Sequence, residues 1–100
     1  MSKKLATWGP QLGDNGPTTL DDVVMPTPFA DTALTVDGQR VEIVAADGLA
    51  NRRYLWVPLL SAIVGGVLVF SSVHVWTADT NSPAGRAAWI AQLDAMRSRV

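Results

Sequence analysis

Residues 54–78 read YLWVPLLSAIVGGVLVFSSVHVWTA, and no Asp, Glu, Lys or Arg occurs among them. All nine acidic and all eight basic residues of the 100-residue chain lie outside this run. A hydrocarbon core is crossed by about 20 helical residues, and this run as a helix would extend about 37 Å. Tyr54 and Trp56 stand at one end and Trp76 at the other, where aromatic rings anchor a span in the two headgroup layers. Pro58 falls in the first turn or so, where a missing N–H has little effect. The run predicts one transmembrane helix over 54–78.

The flanks orient that helix. Arg52 and Arg53 directly precede it, with Lys3 and Lys4 further back, whereas the first basic residue beyond it is Arg86. Basic residues stay on the cytoplasmic side, so the expectation is an inner-membrane, single-pass chain, N-terminus cytoplasmic and C-terminus periplasmic. Met1 is not followed by a charged region, a short apolar stretch and a cleavage site, so the span is read as an uncleaved anchor.

Composition agrees with that placement. Charged residues make up 17% and apolar residues 48%, with net charge −1 and no cysteine, against roughly a quarter charged in ordinary domains. These values exclude a disordered acidic tail, a disulfide-stapled secreted domain and a basic nucleic-acid binder.

Upstream of the run, residues 1–31 hold Gly9-Pro10, Gly13, Gly16-Pro17, Pro26 and Pro28. That density of breakers predicts an extended arm. Residues 32–44 predict a β-hairpin, because Asp37-Gly38 suits a type I′ turn with positive φ at both central positions. A two-residue loop there puts Leu34, Val36, Val41 and Ile43 on one apolar face. A lone hairpin is marginal in water, so this face calls for a partner. Residues 45–53, with a second turn at Asp47-Gly48, read as a membrane-proximal linker.

Downstream, residues 79–100 form an extracytoplasmic segment. Ser82-Pro83 is a helix start, and an amphipathic helix over 83–99 places Trp89, Leu93, Met96 and Val100 on one narrow contact stripe. Within the span, Ser61, Ala62, Gly65 and Gly66 put small residues on one helix face, a device for close helix packing in lipid.

Chemistry-bearing patterns are sparse. No cysteine, a single histidine, no phosphate-binding loop and no GxGxxG occur, which points to a protein that is not an enzyme and has no small-molecule substrate. His74 is the one candidate ligand, for haem iron or a chlorophyll-type pigment. Light-harvesting polypeptides use a single histidine in a single span in this manner, with a small residue four positions earlier; Phe70 stands there in this chain.

The expected fold is a mainly α membrane protein: one transmembrane helix, an extended arm bearing a small hairpin, and a short outer helix. Its expected function is that of a non-catalytic accessory subunit stabilising a larger inner-membrane complex, respiratory or photosynthetic, with larger membrane subunits and the bilayer as partners and no resident cofactor. In organisation the layout resembles the small single-span polypeptides that border photosynthetic core complexes. Two alternatives stand beside it: a pigment- or haem-binding subunit using His74, and a self-assembling phage or bacterial envelope or lysis protein.

Overall fold

The computed structural model describes all residues from Met1 to Val100. The chain divides into two units, Met1–Ala30 and Asp31–Val100. The second unit is a four-stranded antiparallel sheet with one helix. Its strands are β1 (Ala33–Val36), β2 (Gln39–Ala45), β3 (Arg53–Val57) and β4 (Ala62–Val64), hydrogen-bonded in sequence order as a meander.

The β1–β2 turn sets the register. Asp37 and Gly38 have φ of 49° and 77°, the left-handed pair that a tight hairpin with right-handed strand twist requires. Val36 then lies opposite Gln39 and Leu34 opposite Val41. The Ile43 N–H donates to the Thr32 carbonyl at 2.8 Å just beyond the ladder. The loop after β2 is closed by Ala46 N–H to Arg52 O at 3.0 Å, which delivers β3 in register, Val44 opposite Tyr54 and Glu42 opposite Trp56.

Residues 54–78 therefore do not form a transmembrane helix. No helix of the structure is long and apolar enough to cross a membrane. The fold is α+β rather than mainly α, and the single-pass, inner-membrane placement with its N-in orientation falls with the span.

The physical reasons lie in the run itself. Pro58 cannot donate and restricts the residue before it; Val57 is extended at φ −111° and ψ 92°. Ser61, Gly66 and Ser72 have φ of 45°, 54° and 59°, each incompatible with a continuing right-handed helix. Eight of the 25 residues are β-branched, which favours extended backbone. The run breaks instead into β3, a 3-10 turn at Pro58–Leu60, β4, a second 3-10 turn at Gly66–Leu68 and irregular chain to the next helix.

Helix α2 (Pro83–Arg97) starts where Ser82 accepts the Gly85 N–H at 3.0 Å, with Pro83 in the first turn. Its buried residues are Trp89, Gln92 and Met96. Trp89 and Met96 join Ala46, Tyr54 and Leu68 in the core, and Val44, Leu49, Trp56, Ile63 and Phe70 pack against them. The Trp89 indole N–H donates to the Leu68 carbonyl at 2.9 Å in a buried bond. The Gln92 side-chain oxygen accepts the Asp47 N–H at 2.9 Å. Both buried polar groups are thus partnered, as burial demands.

In the first unit, Ser2–Leu12 forms helix α1 where an extended arm was expected. Pro10 sits in its last turn, so the proline removes one hydrogen bond near an end that would fray. A 3-10 turn at Leu20–Asp22 follows. There the Asp22 carboxylate accepts the backbone N–H groups of Thr18 and Thr19 at 3.0 and 2.8 Å, and both hydroxyls.

Two outcomes follow from these contacts. Trp89→Phe should lower unfolding free energy by about 1–3 kcal/mol, because the Leu68 carbonyl stays buried without its donor. Trp89→Ala should cost about 3–5 kcal/mol, both read from urea denaturation of the full chain. The Thr19 N–H bond, followed by the Thr18 and Thr19 hydroxyls and the Thr18 N–H, lowers the Asp22 pKa below the ordinary carboxylate value. A lowered folded-state pKa gives support that is present above the unfolded pKa and lost as pH falls through the folded one. The Thr18 and Thr19 amide resonances should therefore move together in an acid titration, and Asp22→Asn should abolish that movement.

Candidate functional site

Cross-strand partners share a face of a sheet, so the pairings sort the strand residues into two sets. One face carries Val44, Tyr54, Trp56 and Ile63, together with Glu42, and this face belongs to the core beneath α2. The opposite face carries Leu34 and Val36 from β1, Val41 and Ile43 from β2, Leu55 and Val57 from β3, and Ala62 and Val64 from β4. None of these eight is a core residue. Leu34, Val36 and Val64 are 36%, 53% and 57% exposed, and the other five are half-buried.

This pattern inverts the usual one. An antiparallel sheet with one solvated face alternates apolar inward with polar outward. Here most outward residues are apolar on all four strands, the exceptions being Gln39 at the start of β2 and Arg53 at the start of β3. Leu59 and Leu60, in the turn after β3, add exposed apolar surface at 67% and 70%.

The covered face is sealed by cations. The Arg99 guanidinium stands 5.6 Å from the Trp56 ring centre and 6.0 Å from that of Tyr54. Arg52 lies 6.0 Å from the Trp89 ring centre and 3.4 Å from the Asp79 carboxylate. Such contacts attract cations to ring faces. Nothing equivalent closes the other side.

The residues singled out in the sequence are distributed as follows. Leu34, Val36, Val41 and Ile43 do share one face, and β3 and β4 double its area with Leu55, Val57, Ala62 and Val64. Those four were hidden within the run read as a span. Their signal was the β-branched enrichment of that run. Ser61, Ala62, Gly65 and Gly66 lie on no common helix: Ser61 follows a 3-10 turn, Ala62 opens β4, and the glycines form the next turn. Gly65 is required because a Cβ there would run into the Val69 side chain.

Of the expected membrane anchors, Tyr54 is buried, Trp56 packs on the core, Arg52 pairs with Asp79, and Arg53 and Trp76 are exposed. On α2, Trp89 and Met96 face the sheet of their own chain, whereas Leu93 and Val100 are exposed at 38% and 64%. Through Trp89 and Met96 the helix thus covers the sheet of its own chain. Its inward Gln92 was missed, because a polar residue within an apolar stripe gives no sequence signal until its partner, the Asp47 N–H, is known.

His74 is exposed in the irregular chain before α2, so the helical spacing to Phe70 no longer applies. No group of three or more His, Asp or Glu side chains gathers in a metal-binding arrangement. No protein family, no curated protein and no solved structure matches the chain.

The two faces should respond differently to substitution. Arg99→Ala should cost about 0.5–1 kcal/mol through the uncovered Trp56 ring. Val36→Thr and Val64→Thr should each stay within about 0.5 kcal/mol of the parent, with thermal unfolding as the readout.

Proposed function

We propose that the chain is a non-catalytic accessory subunit that docks on a larger protein assembly through the open face of its sheet. The observation that carries this role is the row of eight apolar, uncharged side chains left outside the core on four adjacent strands. Contiguous apolar surface of this kind is the mark of a contact site. The face offers no nucleophile, acid or base, so binding is the chemistry open to it.

Its dimensions bear on the partner. Four strands are about 19 Å across and the paired segments roughly 15 Å long. That footprint is below the roughly 800 Å² per partner of a standard interface. Stable attachment therefore needs more than the flat face, and Leu59, Leu60 and the free edge of β4 lie beside it to supply it. A small subunit seated against a larger apolar protein surface fits this geometry.

The test is site-specific photo-crosslinking in the cells that make the chain. Cross-linkers at Val36 and Val64 should trap one and the same larger protein. Cross-linkers at Ala91 and Ser98, on the other side, should not. Leu34→Lys in the chain cross-linked from Val64, and Val64→Lys in the chain cross-linked from Val36, should each reduce the adduct by at least about tenfold while leaving the circular dichroism spectrum unchanged. Adducts of equal yield from both sides, or adducts to the chain alone, would overturn the role.

A further inference from the structure

A second feature lies at the start of α2. The loop at Gly48–Ala50 and the chain entering the helix enclose a cavity of about 170 Å³, whose polar lining is Arg52, Asp79, Thr80, Asn81 and Ser82. That is below the roughly 300–1,000 Å³ of sites for drug-sized ligands. At about 30 Å³ per water, it has room for an ion of a few heavy atoms. None of the eight residues of the open sheet face lines it.

Thr80 points to a ligand. It is 7% exposed. Its N–H donates to the Thr77 carbonyl at 2.9 Å, and its methyl group faces Gly85, where a Cβ would stand 3.0 Å from it. Its hydroxyl has no partner within the chain. Every fully enclosed side-chain oxygen does have one, so the Thr80 Oγ1 opens into the cavity that its residue lines. A polar group at this depth calls for a partner, and the cavity is where one fits. Ser82 Oγ accepts the Gly85 N–H and keeps its own O–H to donate.

Charge makes the missing partner an anion. The Arg52 side chain is only 15% exposed, and its one carboxylate contact is a single Asp79 oxygen at 3.4 Å, longer than the roughly 2.7–2.9 Å of a strong charge-assisted bond. Most of its five donors stay open. The Arg86 guanidinium donates to the carbonyl of Asn81 at 2.7 Å, which sets a second positive charge beside the lining. The N-terminus of α2 adds partial positive charge. The one negative group in the lining is Asp79, 70% exposed at its side chain. This carboxylate already lies in the cavity, yet it touches Arg52 alone and leaves the adjacent Thr80 hydroxyl unpaired. A tetrahedral ion carries four oxygens and can meet the guanidinium and the hydroxyls together.

We infer that this cavity binds inorganic phosphate, its oxygens on the Arg52 guanidinium and the Thr80 and Ser82 hydroxyls, in place of the Asp79 carboxylate.

Isothermal titration of the full chain with phosphate, in a phosphate-free buffer held at constant ionic strength, tests this against acetate. Phosphate should bind saturably at one site and shift the Thr80 amide and Arg52 Nε–H resonances. Acetate should bind at least about tenfold more weakly. Thr80→Val, which keeps the shape and removes the hydroxyl, should weaken phosphate about tenfold. Arg52→Met should weaken it at least as much. Asp79→Asn should tighten it, because the competing charge is gone. Absence of saturable phosphate binding, equal affinity for acetate, phosphate affinity unmoved by either Thr80→Val or Arg52→Met, or weaker binding by Asp79→Asn would each overturn the assignment.

Discussion

The buried hydrogen bond from the Trp89 indole to the Leu68 carbonyl is the constraint on which the larger unit depends. Leu68 is 1% exposed and Trp89 6%, so the bond forms where an unmet polar group is most costly. It joins α2 to the middle of the charge-free run. Once Leu68 is held there, the run has to fold back over Tyr54 and Trp56 rather than extend away as a rod. Its strand β3 pairs with β2 and β4 with β3, and its turns take up the backbone reversals at Ser61 and Gly66. A chain with no cysteine and few charges thereby obtains a core from one tryptophan, one tyrosine, one methionine and a handful of aliphatic residues.

The same economy explains the uneven sheet. One helix with its side chains is about 10–12 Å wide, whereas four strands are about 19 Å across. A single α2 can close only part of one face, and there Arg99 lies over the Trp56 and Tyr54 rings and Arg52 over Trp89. Within Asp31–Val100 no second helix lies over the other face. Its eight apolar side chains are the surface on which the proposed docking role rests.

Much of the local structure was legible in the sequence. Asp37-Gly38 specifies the hairpin register, and Ser82-Pro83 specifies the start of α2. The stripe containing Trp89 and Met96 specifies which side of that helix is covered. The destination of the stripe was not legible, because spacing reports a face and says nothing of what lies against it. Residues 54–78 were misread for a related reason. Absence of charge reports removal from water and is shared by a membrane span, a central strand and a core-lining loop. Pro58 opposed a continuous helix and the eight β-branched residues favoured extended backbone, yet each is weaker than 25 uncharged positions in a row. In the first unit, Gly9 and Pro10 counted against a helix although both fall in its final turn, where they do little harm.

The central claim is that residues 53–64 are paired strands. Backbone chemical shifts and interstrand nuclear Overhauser effects of the full, isotope-labelled chain test it most directly. Extended shifts over Arg53–Val57 and Ala62–Val64, with cross-strand contacts between Leu55 and Val64 and between Glu42 and Trp56, are the result this structure predicts. Uninterrupted helical shifts from Tyr54 to Ala78, without those contacts, would contradict it.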